Sequence, residues 1–396
     1  MKRAPSFPWQ GAGIAVGGVV LAALLWLASR SLAAPPALLP YVRSAAADAR
    51  WEAALARRAA PLPCAECALR PASYHAAPLE VEWASNAPAF MARGFCSQIA
   101  RELGTWQAWV DAVSAVRSPE LRGSKGLPQR AGAPPQHMME WSYITYSAGG
   151  AAGGAPDVRA HLEPLAGFLR DPRTSCPTLP LLPAFEERTF QDSKATLYLD
   201  PHFYGVLAST LHASAGAGRP RAFLFDLGSS SWQASANQHA AAGMSWLITA
   251  YSQLGIEFDE IFAWEAKETP SAVFFGDMPS SLVARVHFYN LPVTSSTTEG
   301  GPAAALRLLR DVAQPRDFVV FKLDIDMDTL EEEITLNILE SEELSALVDD
   351  FYFEHHVDTG GVMDPWWLTP HPRDTAGSIA LFQALRRRGI RAHSWP

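Results

Sequence analysis

The chain has 396 residues, of which 48% are hydrophobic and 10% aromatic, and its formal net charge is -9. This composition excludes an intrinsically disordered chain, because it supplies enough apolar surface for one large domain or two ordinary ones. The acidic balance argues against nucleic-acid binding, since phosphate contacts need clustered lysine and arginine. A small-molecule or glycan substrate is expected instead.

The N-terminus carries a membrane-targeting pattern. Lys2 and Arg3 precede an uncharged apolar run of 19 residues, Gly11 to Ser29, which is long enough to span a bilayer. We interpret residues 1–35 as a cytosolic tail and a signal-anchor, which predicts a single-pass type II protein with its body in the Golgi or ER lumen. The alternative is a signal peptide cleaved near Ser31-Leu-Ala33, which predicts secretion.

Residues 36–190 are interpreted as a variable stalk and accessory region. A helix is predicted near Ala45 to Ala59, and one strand in the aromatic island Trp141 to Tyr146. The cysteines of the chain also lie in this region, at Cys64, Cys67, Cys96 and Cys176. Structural disulfides suit a lumenal compartment, whereas zinc or redox chemistry at the C-x-x-C pair is the weaker alternative.

From about Leu197 the sequence alternates between helical and strand patterns, and residues 191–396 are assigned to one α/β domain. Such alternation predicts a Rossmann-like, mostly parallel sheet with helices on both faces. The predicted strands are Ala222–Leu227, Glu260–Trp264, Val286–Leu291, Phe318–Ile325, Phe351–His356 and Ile390–Ser394. The predicted helices are His202–Ala213, Ala236–Leu254, Pro302–Asp311, helices within Thr329–Val348, and Thr375–Arg387.

The first two strands of this domain end in polar residues, which should converge on one crevice of an open parallel sheet. The first ends in Asp226-Leu-Gly228 followed by Ser229, where glycine lets the backbone approach a ligand and the aspartate accepts hydrogen bonds from it. The second ends before Glu265, which is placed like an acidic residue that binds a ribose hydroxyl. An ordinary strand-to-helix turn capped by serine is the alternative.

The fourth strand ends in the charged sequence Lys322-Leu-Asp324-Ile-Asp326, whose three charged side chains share one face of a strand. We expect Asp324 to have an active-site role, since it lies where ligands of parallel sheets bind. In one alternative, Asp326 and Asp328 only begin the next helix through a capping box such as Asp328-x-x-Glu331. In another, Asp324 and Asp326 hold a divalent cation that binds a nucleotide-sugar diphosphate.

The fifth strand ends in Glu354-His355-His356, and alternation places Glu354 and His356 on one face and His355 on the other. A neutral histidine can serve as a general base or a metal ligand, and a neighbouring carboxylate orients it. The alternative is that one histidine merely hydrogen-bonds a neighbouring loop. His393 and the pair Trp366-Trp367 are expected to serve packing.

These motifs, together with the ending Arg391-Ala-His-Ser-Trp395, resemble those of S-adenosylmethionine-dependent methyltransferases, specifically an uncharacterised algal branch of the FkbM-like group. The resemblance covers roughly Tyr198 to Trp395. It implies a class I methyltransferase-like domain in which Asp226, Gly228 and Ser229 lie beside the methionine and ribose parts of the cofactor. Glu265 would bind the ribose hydroxyls.

The resemblance implies an O-methyltransferase that uses S-adenosylmethionine and acts on a hydroxyl group, and no metal ligands are predicted. Because the compartment offers such substrates, the hydroxyl is expected on a glycan or glycolipid. Asp324, His355 or His356 would take the hydroxyl proton. A metal-dependent glycosyltransferase is the second hypothesis. A non-catalytic binding module is the third, because the family usually has a second glycine where this chain has Ser230.

Overall fold

The computed structural model describes residues 44–57, 61, 69–78, 80–81, 84–85, 141–148, 157–162, 199–213, 218–232, 244–357 and 373–395. The apolar run Gly11 to Ser29, all four cysteines and the Trp366-Trp367 pair lie outside these residues. The predictions of an anchor and of disulfides therefore stay predictions. Within the ranges described, no helix combines the length and the apolar character needed to cross a membrane.

The elements of these ranges are numbered in chain order. The strands are β1 (Leu69–His75), β2 (Ser142–Ala148), β3 (Val158–Leu162), β4 (Ala222–Leu227), β5 (Glu260–Trp264), β6 (Val286–Tyr289), β7 (Phe318–Leu323), β8 (Asp350–Phe353) and β9 (Arg391–Ser394). The helices are α1 (Ala45–Ala56), α2 (Pro201–Ala213), α3 (Met244–Gln253), α4 (Ser271–Phe275), α5 (Ser280–Val283), α6 (Ala305–Val312), α7 (Asp328–Glu340), α8 (Glu342–Leu347) and α9 (Thr375–Arg387).

Strands β4 to β9 form a parallel sheet in the order β6-β5-β4-β7-β8-β9. The chain builds outward from β4 on one side, returns to the centre at β7 and then builds outward on the other side. This is the order of dinucleotide-binding Rossmann sheets, and it places a topological switch point between β4 and β7. The predicted α/β class, with a parallel sheet flanked by helices, is confirmed.

Both faces of the parallel sheet are covered, which is why its central strands are apolar except for Asp226 and Lys322. All six residues of β4 and all six of β7 are buried. One face packs against α1, α6, α7, α8 and α9, and the other against α2, α3 and the smaller sheet β1-β2-β3. A strand covered on both faces reads as a continuous apolar run rather than an alternating one, so β4 and β7 were recognisable from sequence.

Several predicted strands end earlier than expected. β7 stops at Leu323 rather than Ile325, and β8 stops at Phe353 rather than His356. Asp326 has a φ of 55°, a left-handed conformation in which a strand cannot continue. The polar residues that follow these strands therefore lie in loops, where their side chains are not bound to strict alternation.

Four short elements were not predicted: β1, β3, α4 and α5. β1 contains Pro71 and a register shift between Pro71 and Ser73, and proline within a run argues against a strand. α4 and α5 are helices of five and four residues that follow Pro270 and Pro279. Such short helices offer too few residues for an apolar period to be seen.

Helix α1 and the smaller sheet lie in the region interpreted as a stalk and accessory segment. Trp51 of α1 is buried in the same apolar cluster as β4 and β7. Arg50 donates hydrogen bonds of 2.7 Å to Glu340 Oε2 and to Asn337 Oδ1 of α7. These segments thus contribute to the core around the parallel sheet, while the boundary at residue 190 stays a prediction.

A buried ion pair fixes the amino end of the sheet. Asp350, the first residue of β8, pairs with Arg391, the first residue of β9, and accepts hydrogen bonds from the hydroxyl groups of Tyr204 and Tyr251. Arg391 also donates to the Tyr146 hydroxyl oxygen at 2.8 Å, and burial raises the pKa of Tyr146 to about 12. The pair therefore joins β2, α2 and α3 to the parallel sheet.

We expect Arg391→Met to lower the free energy of unfolding by roughly 3–5 kcal/mol, because it leaves the Asp350 carboxylate buried without its countercharge. Urea denaturation measures this loss. The matched control is Arg219→Met, which removes an arginine whose side chain is 52% exposed and pairs with Asp259 at the surface. A surface pair contributes less than about 1 kcal/mol. Equal losses for the two variants would contradict the assigned role of Arg391.

Candidate active site

The turn after β4 lies against the end of β7. Gly228 has a φ of 82°, and the N–H groups of Gly228 and Ser229 donate to the Trp264 carbonyl at 3.0 and 2.9 Å. A Cβ atom on Gly228 would lie 1.5 Å from the Asp324 carbonyl oxygen. Backbone packing alone therefore requires glycine here, whether or not a ligand approaches the turn.

Lys322 joins the ends of β4 and β7 through a buried ammonium group. Its side chain is 1% exposed, and its Nζ lies 2.9 Å from Asp226 Oδ1, 3.0 Å from the Gly228 carbonyl oxygen and 3.4 Å from Asp324 Oδ2. Three acceptors thus match the three N–H donors of a lysine. Burial alone would lower the pKa of Lys322, but the charges of Asp226 and Asp324 outweigh it and hold that pKa well above its ordinary value.

The carboxylate of Asp324 is held from a second direction by Trp395. The indole Nε1 of Trp395 donates to Asp324 Oδ2 at 2.9 Å, and the ring centroid lies 5.6 Å from Lys322 Nζ. Trp395 is fully buried and meets Tyr352 and Trp246 edge to face, with centroid distances of 5.7 and 5.8 Å. The orientation of Asp324 is therefore fixed by the packing of Trp395.

Glu265 connects the loops that follow β4 and β5. Its Oε2 accepts the Ser230 N–H at 3.0 Å, and its Oε1 accepts the Lys267 N–H at 2.8 Å. The side chain remains partly exposed at the carboxyl edge of the sheet. Each carboxylate oxygen has a second lone pair, so Glu265 can stabilise the loops and still accept hydrogen bonds from a ligand.

Two buried polar atoms beside Gly228 have no hydrogen-bond partner in the part of the chain that the structure describes. They are Asp226 Oδ2 and Ser229 Oγ. Leaving such an atom unsatisfied costs about 1–3 kcal/mol, so native proteins rarely do so without a functional reason. Both atoms lie at the switch point, where parallel sheets of this order bind their ligands.

The two neighbouring histidines contact different parts of the protein. His355 Nδ1 lies 3.1 Å from Ser378 Oγ in α9, and its ring packs on Phe353 and Trp51 with centroid distances of 4.9 and 5.9 Å. His356 Nδ1 instead lies 2.8 Å from Asp328 Oδ1. The surroundings of His355 indicate packing, whereas His356 belongs to a cluster of carboxylates.

That cluster also includes the first turn of α7. The N-cap of α7 is Met327, which makes no side-chain capping bond, so the expected capping box is not formed. Glu331 reaches back and accepts the Ile325 N–H at 2.8 Å, while Asp328 faces His356. Burial raises the pKa of Glu331 to about 7. Burial opposes protonation of His356, but the hydrogen bond that the ring donates to Asp328 and the charges of the nearby carboxylates outweigh it and raise the pKa of the imidazole.

The structure brings Asp226, Gly228, Ser229 and Asp324 together at the switch point, with Glu265 at the carboxyl edge of the sheet. Sequence reasoning missed the partners of Lys322 and the role of Trp395. A signal for Lys322 was present, because a lysine inside the apolar run Phe318 to Leu323 requires a buried countercharge. Nothing in the sequence pairs Trp395 with a residue 71 positions earlier.

Comparisons of the chain with models of protein families, with curated proteins and with solved structures found no match. The chemistry of the site therefore has to be argued from its own residues.

Lys322→Met should lower the free energy of unfolding by roughly 3–5 kcal/mol, since it leaves Asp226 buried without a countercharge. Adding Asp226→Leu should recover part of this loss, because the second change removes the stranded carboxylate. The control is Lys267→Met, at an exposed lysine of the loop after β5. If urea denaturation shows no recovery in the double variant, Lys322 and Asp226 are not coupled as described.

Stability should fall as the pH rises from about 4.5 to 7 through the titration of Glu331. Its pKa is higher in the folded protein than in the unfolded chain, so protonation favours folding below the unfolded value and this contribution is lost as the pH passes the folded value. The loss is up to about 3 kcal/mol. Glu331→Gln keeps the shape but cannot ionise.

The measurement is urea denaturation at about pH 5 and about pH 8 in the presence of a chelator. The stability of Glu331→Gln relative to the original chain should be higher at the upper pH. Glu333→Gln, at an exposed position of the same helix, should show no such difference. A Glu331→Gln variant with an unchanged pH profile would show that Glu331 does not titrate in this range.

Proposed function

We propose that the protein is an S-adenosylmethionine-dependent O-methyltransferase whose cofactor binds in the crevice between β4 and β7. The observation that supports this most directly is the pair of buried polar atoms, Asp226 Oδ2 and Ser229 Oγ, without partners in the described part of the chain. They flank Gly228 at the switch point of the sheet, which is where a ligand would satisfy them.

The charge of the crevice favours a cofactor without phosphate groups. The ammonium of Lys322 lies between the carboxylates of Asp226 and Asp324 and the Gly228 carbonyl, so protein acceptors already surround it. Glu265 adds a third carboxylate after the neighbouring strand β5. A pyrophosphate needs donors and positive potential. S-adenosylmethionine carries a sulfonium and an ammonium group instead, so its charge complements these carboxylates.

Each residue is then assigned one role in binding the cofactor. Asp226 Oδ2 would accept a hydrogen bond from the ammonium of the methionine part, and Ser229 Oγ would donate to its carboxylate. Glu265 would accept the ribose hydroxyls through lone pairs not used by Ser230 and Lys267. The hydrogen-bond donors and acceptors of these residues therefore match the acceptors and donors of the cofactor.

Asp324 is the residue best placed to bind the acceptor hydroxyl group. Trp395 and Lys322 fix its carboxylate at the end of β7, so it can hold an acceptor hydroxyl in line and take its proton. When bound, the cofactor would supply its sulfonium methyl group to the acceptor oxygen, and the sulfur would leave as a neutral thioether. His355 is packed between Phe353, Trp51 and Ser378, and we assign it no part in the chemistry.

The setting of the reaction is also a proposal. The apolar run Gly11 to Ser29 would anchor the chain in a Golgi or ER membrane with the α/β domain in the lumen. Glycans and glycolipids are the hydroxyl-bearing molecules abundant there, and we propose one of these as the acceptor.

A metal-dependent glycosyltransferase remains the second candidate, because carboxylates and a histidine gather after β7 and β8. The metal-ligating atoms that lie close together belong to Asp326, Glu354 and His356 rather than to the pair Asp324 and Asp326. Calorimetry with S-adenosylmethionine, and separately with UDP-sugars plus Mn²⁺, distinguishes the two. Binding of neither ligand would favour a non-catalytic module.

Glu265→Gln should weaken S-adenosylmethionine binding by about ten- to a hundredfold, because charge-assisted hydrogen bonds to the ribose contribute roughly 1.5–3 kcal/mol. Glutamine keeps one carbonyl acceptor for the loops, so the melting temperature should change little. The matched control is Glu268→Gln, at an exposed position of the same loop. Equal cofactor affinity in the two variants would remove Glu265 from the binding site.

A further inference from the structure

Five side chains form a carboxylate–histidine cluster beside the proposed cofactor crevice. They are Asp326 in the loop after β7, Asp328 and Glu331 in the first turn of α7, and Glu354 and His356 in the loop after β8. Three separate stretches of chain thus meet at the carboxyl edge of the sheet. The cluster begins two residues after Asp324, to which we assigned the acceptor.

We propose that this cluster binds a divalent transition-metal ion, Mn²⁺ or Zn²⁺, through Asp326, Glu354 and His356. One ligand atom from each of these residues lies within 4.8 Å of the others. Ligand atoms bound to one ion at about 2.1 Å lie no more than about 4.2 Å apart. Small side-chain rotations therefore suffice to close the group around an ion.

A contact outside this ligand set supports the assignment. Asp328 Oδ1 lies 2.8 Å from His356 Nδ1. Metal-bound histidines ordinarily have such a carboxylate partner on the nitrogen that does not bind the metal. This contact orients the ring, and because it occupies Nδ1, Nε2 is the nitrogen that would bind the ion. A histidine that served only packing would not need a carboxylate to orient it.

The position of Asp326 is also fixed by a hydrogen bond between helix α7 and the residue that precedes Asp326. Glu331, whose side chain is 1% exposed, accepts the N–H of Ile325 at 2.8 Å and so holds the residue before Asp326 against α7. Asp326 itself is exposed and has a φ of 55°. The buried carboxylate supports the loop, and the exposed one faces the cluster.

The mixture of ligands selects the class of ion. Imidazole nitrogen suits transition metals, whereas Mg²⁺ and Ca²⁺ prefer oxygen ligands alone. Carboxylate oxygens suit Mn²⁺ and are also bound by Zn²⁺. Four carboxylates around one imidazole repel one another, and a dication offsets that repulsion.

The role of this metal ion rests on the proposed function. An acceptor oxygen bound to the ion would lose its proton more easily, because a bound cation lowers the pKa of a coordinated hydroxyl group. Asp324, at the same strand end, would receive that proton. The acceptor would therefore be a molecule that presents a metal-binding oxygen to the crevice.

The test uses the 396-residue chain, stripped of metal with EDTA and titrated with Mn²⁺ while free Mn²⁺ is followed by electron paramagnetic resonance. We expect saturable binding and displacement by Zn²⁺. Asp326→Asn and His356→Gln should each weaken Mn²⁺ binding by at least about tenfold, since the loss of even an indirect metal contact costs that much. Asparagine tolerates the left-handed conformation at 326, so that variant should keep its fold.

The control is His355→Gln, which changes the neighbouring histidine held by Ser378 and should leave Mn²⁺ affinity unchanged. Three outcomes would overturn the metal site: no saturable binding of either ion, unchanged affinity in Asp326→Asn, or an equal loss in His355→Gln. S-adenosylmethionine calorimetry on the same samples separates the two proposals. Metal binding without cofactor binding refutes the methyltransferase alone, and the reverse refutes the metal site alone.

Discussion

A single buried ammonium group sets the geometry of the switch point. Lys322 lies inside an otherwise apolar strand, and its charge must be satisfied there because it cannot reach water. Asp226 and the Gly228 carbonyl supply acceptors from the β4 side, and Asp324 supplies one from β7. The ends of the two central strands are therefore held at a fixed distance, and both carboxylates have defined orientations.

The two ends of the sheet bury different kinds of polar group. At the amino end, Asp350 and Arg391 are surrounded by tyrosine hydroxyls, and the network joins several elements. At the carboxyl end, Asp226 Oδ2 and Ser229 Oγ lack partners in the described part of the chain. The network at the amino end joins elements of the fold. The two atoms at the carboxyl end are the ones that we propose a ligand satisfies.

The motif residues each have a structural reason to be present. Gly228 is required by the Asp324 carbonyl, and Glu265 is held by the N–H groups of two loops. The Asp-x-Gly motif on its own would therefore be weak evidence for a cofactor. The case for a ligand rests on unsatisfied atoms and on the charge of the crevice, which a simple turn does not explain.

The sequence by itself determined the α/β class, which stretches of the chain form the parallel strands, and the polar residues that follow these strands. It did so because strands buried on both faces are apolar runs, and β4 and β5 even have the predicted bounds. Only the tertiary structure decided which polar residues meet. Trp395 reaches Asp324, and Asp328 pairs with His356, through packing between distant segments that no local periodicity encodes.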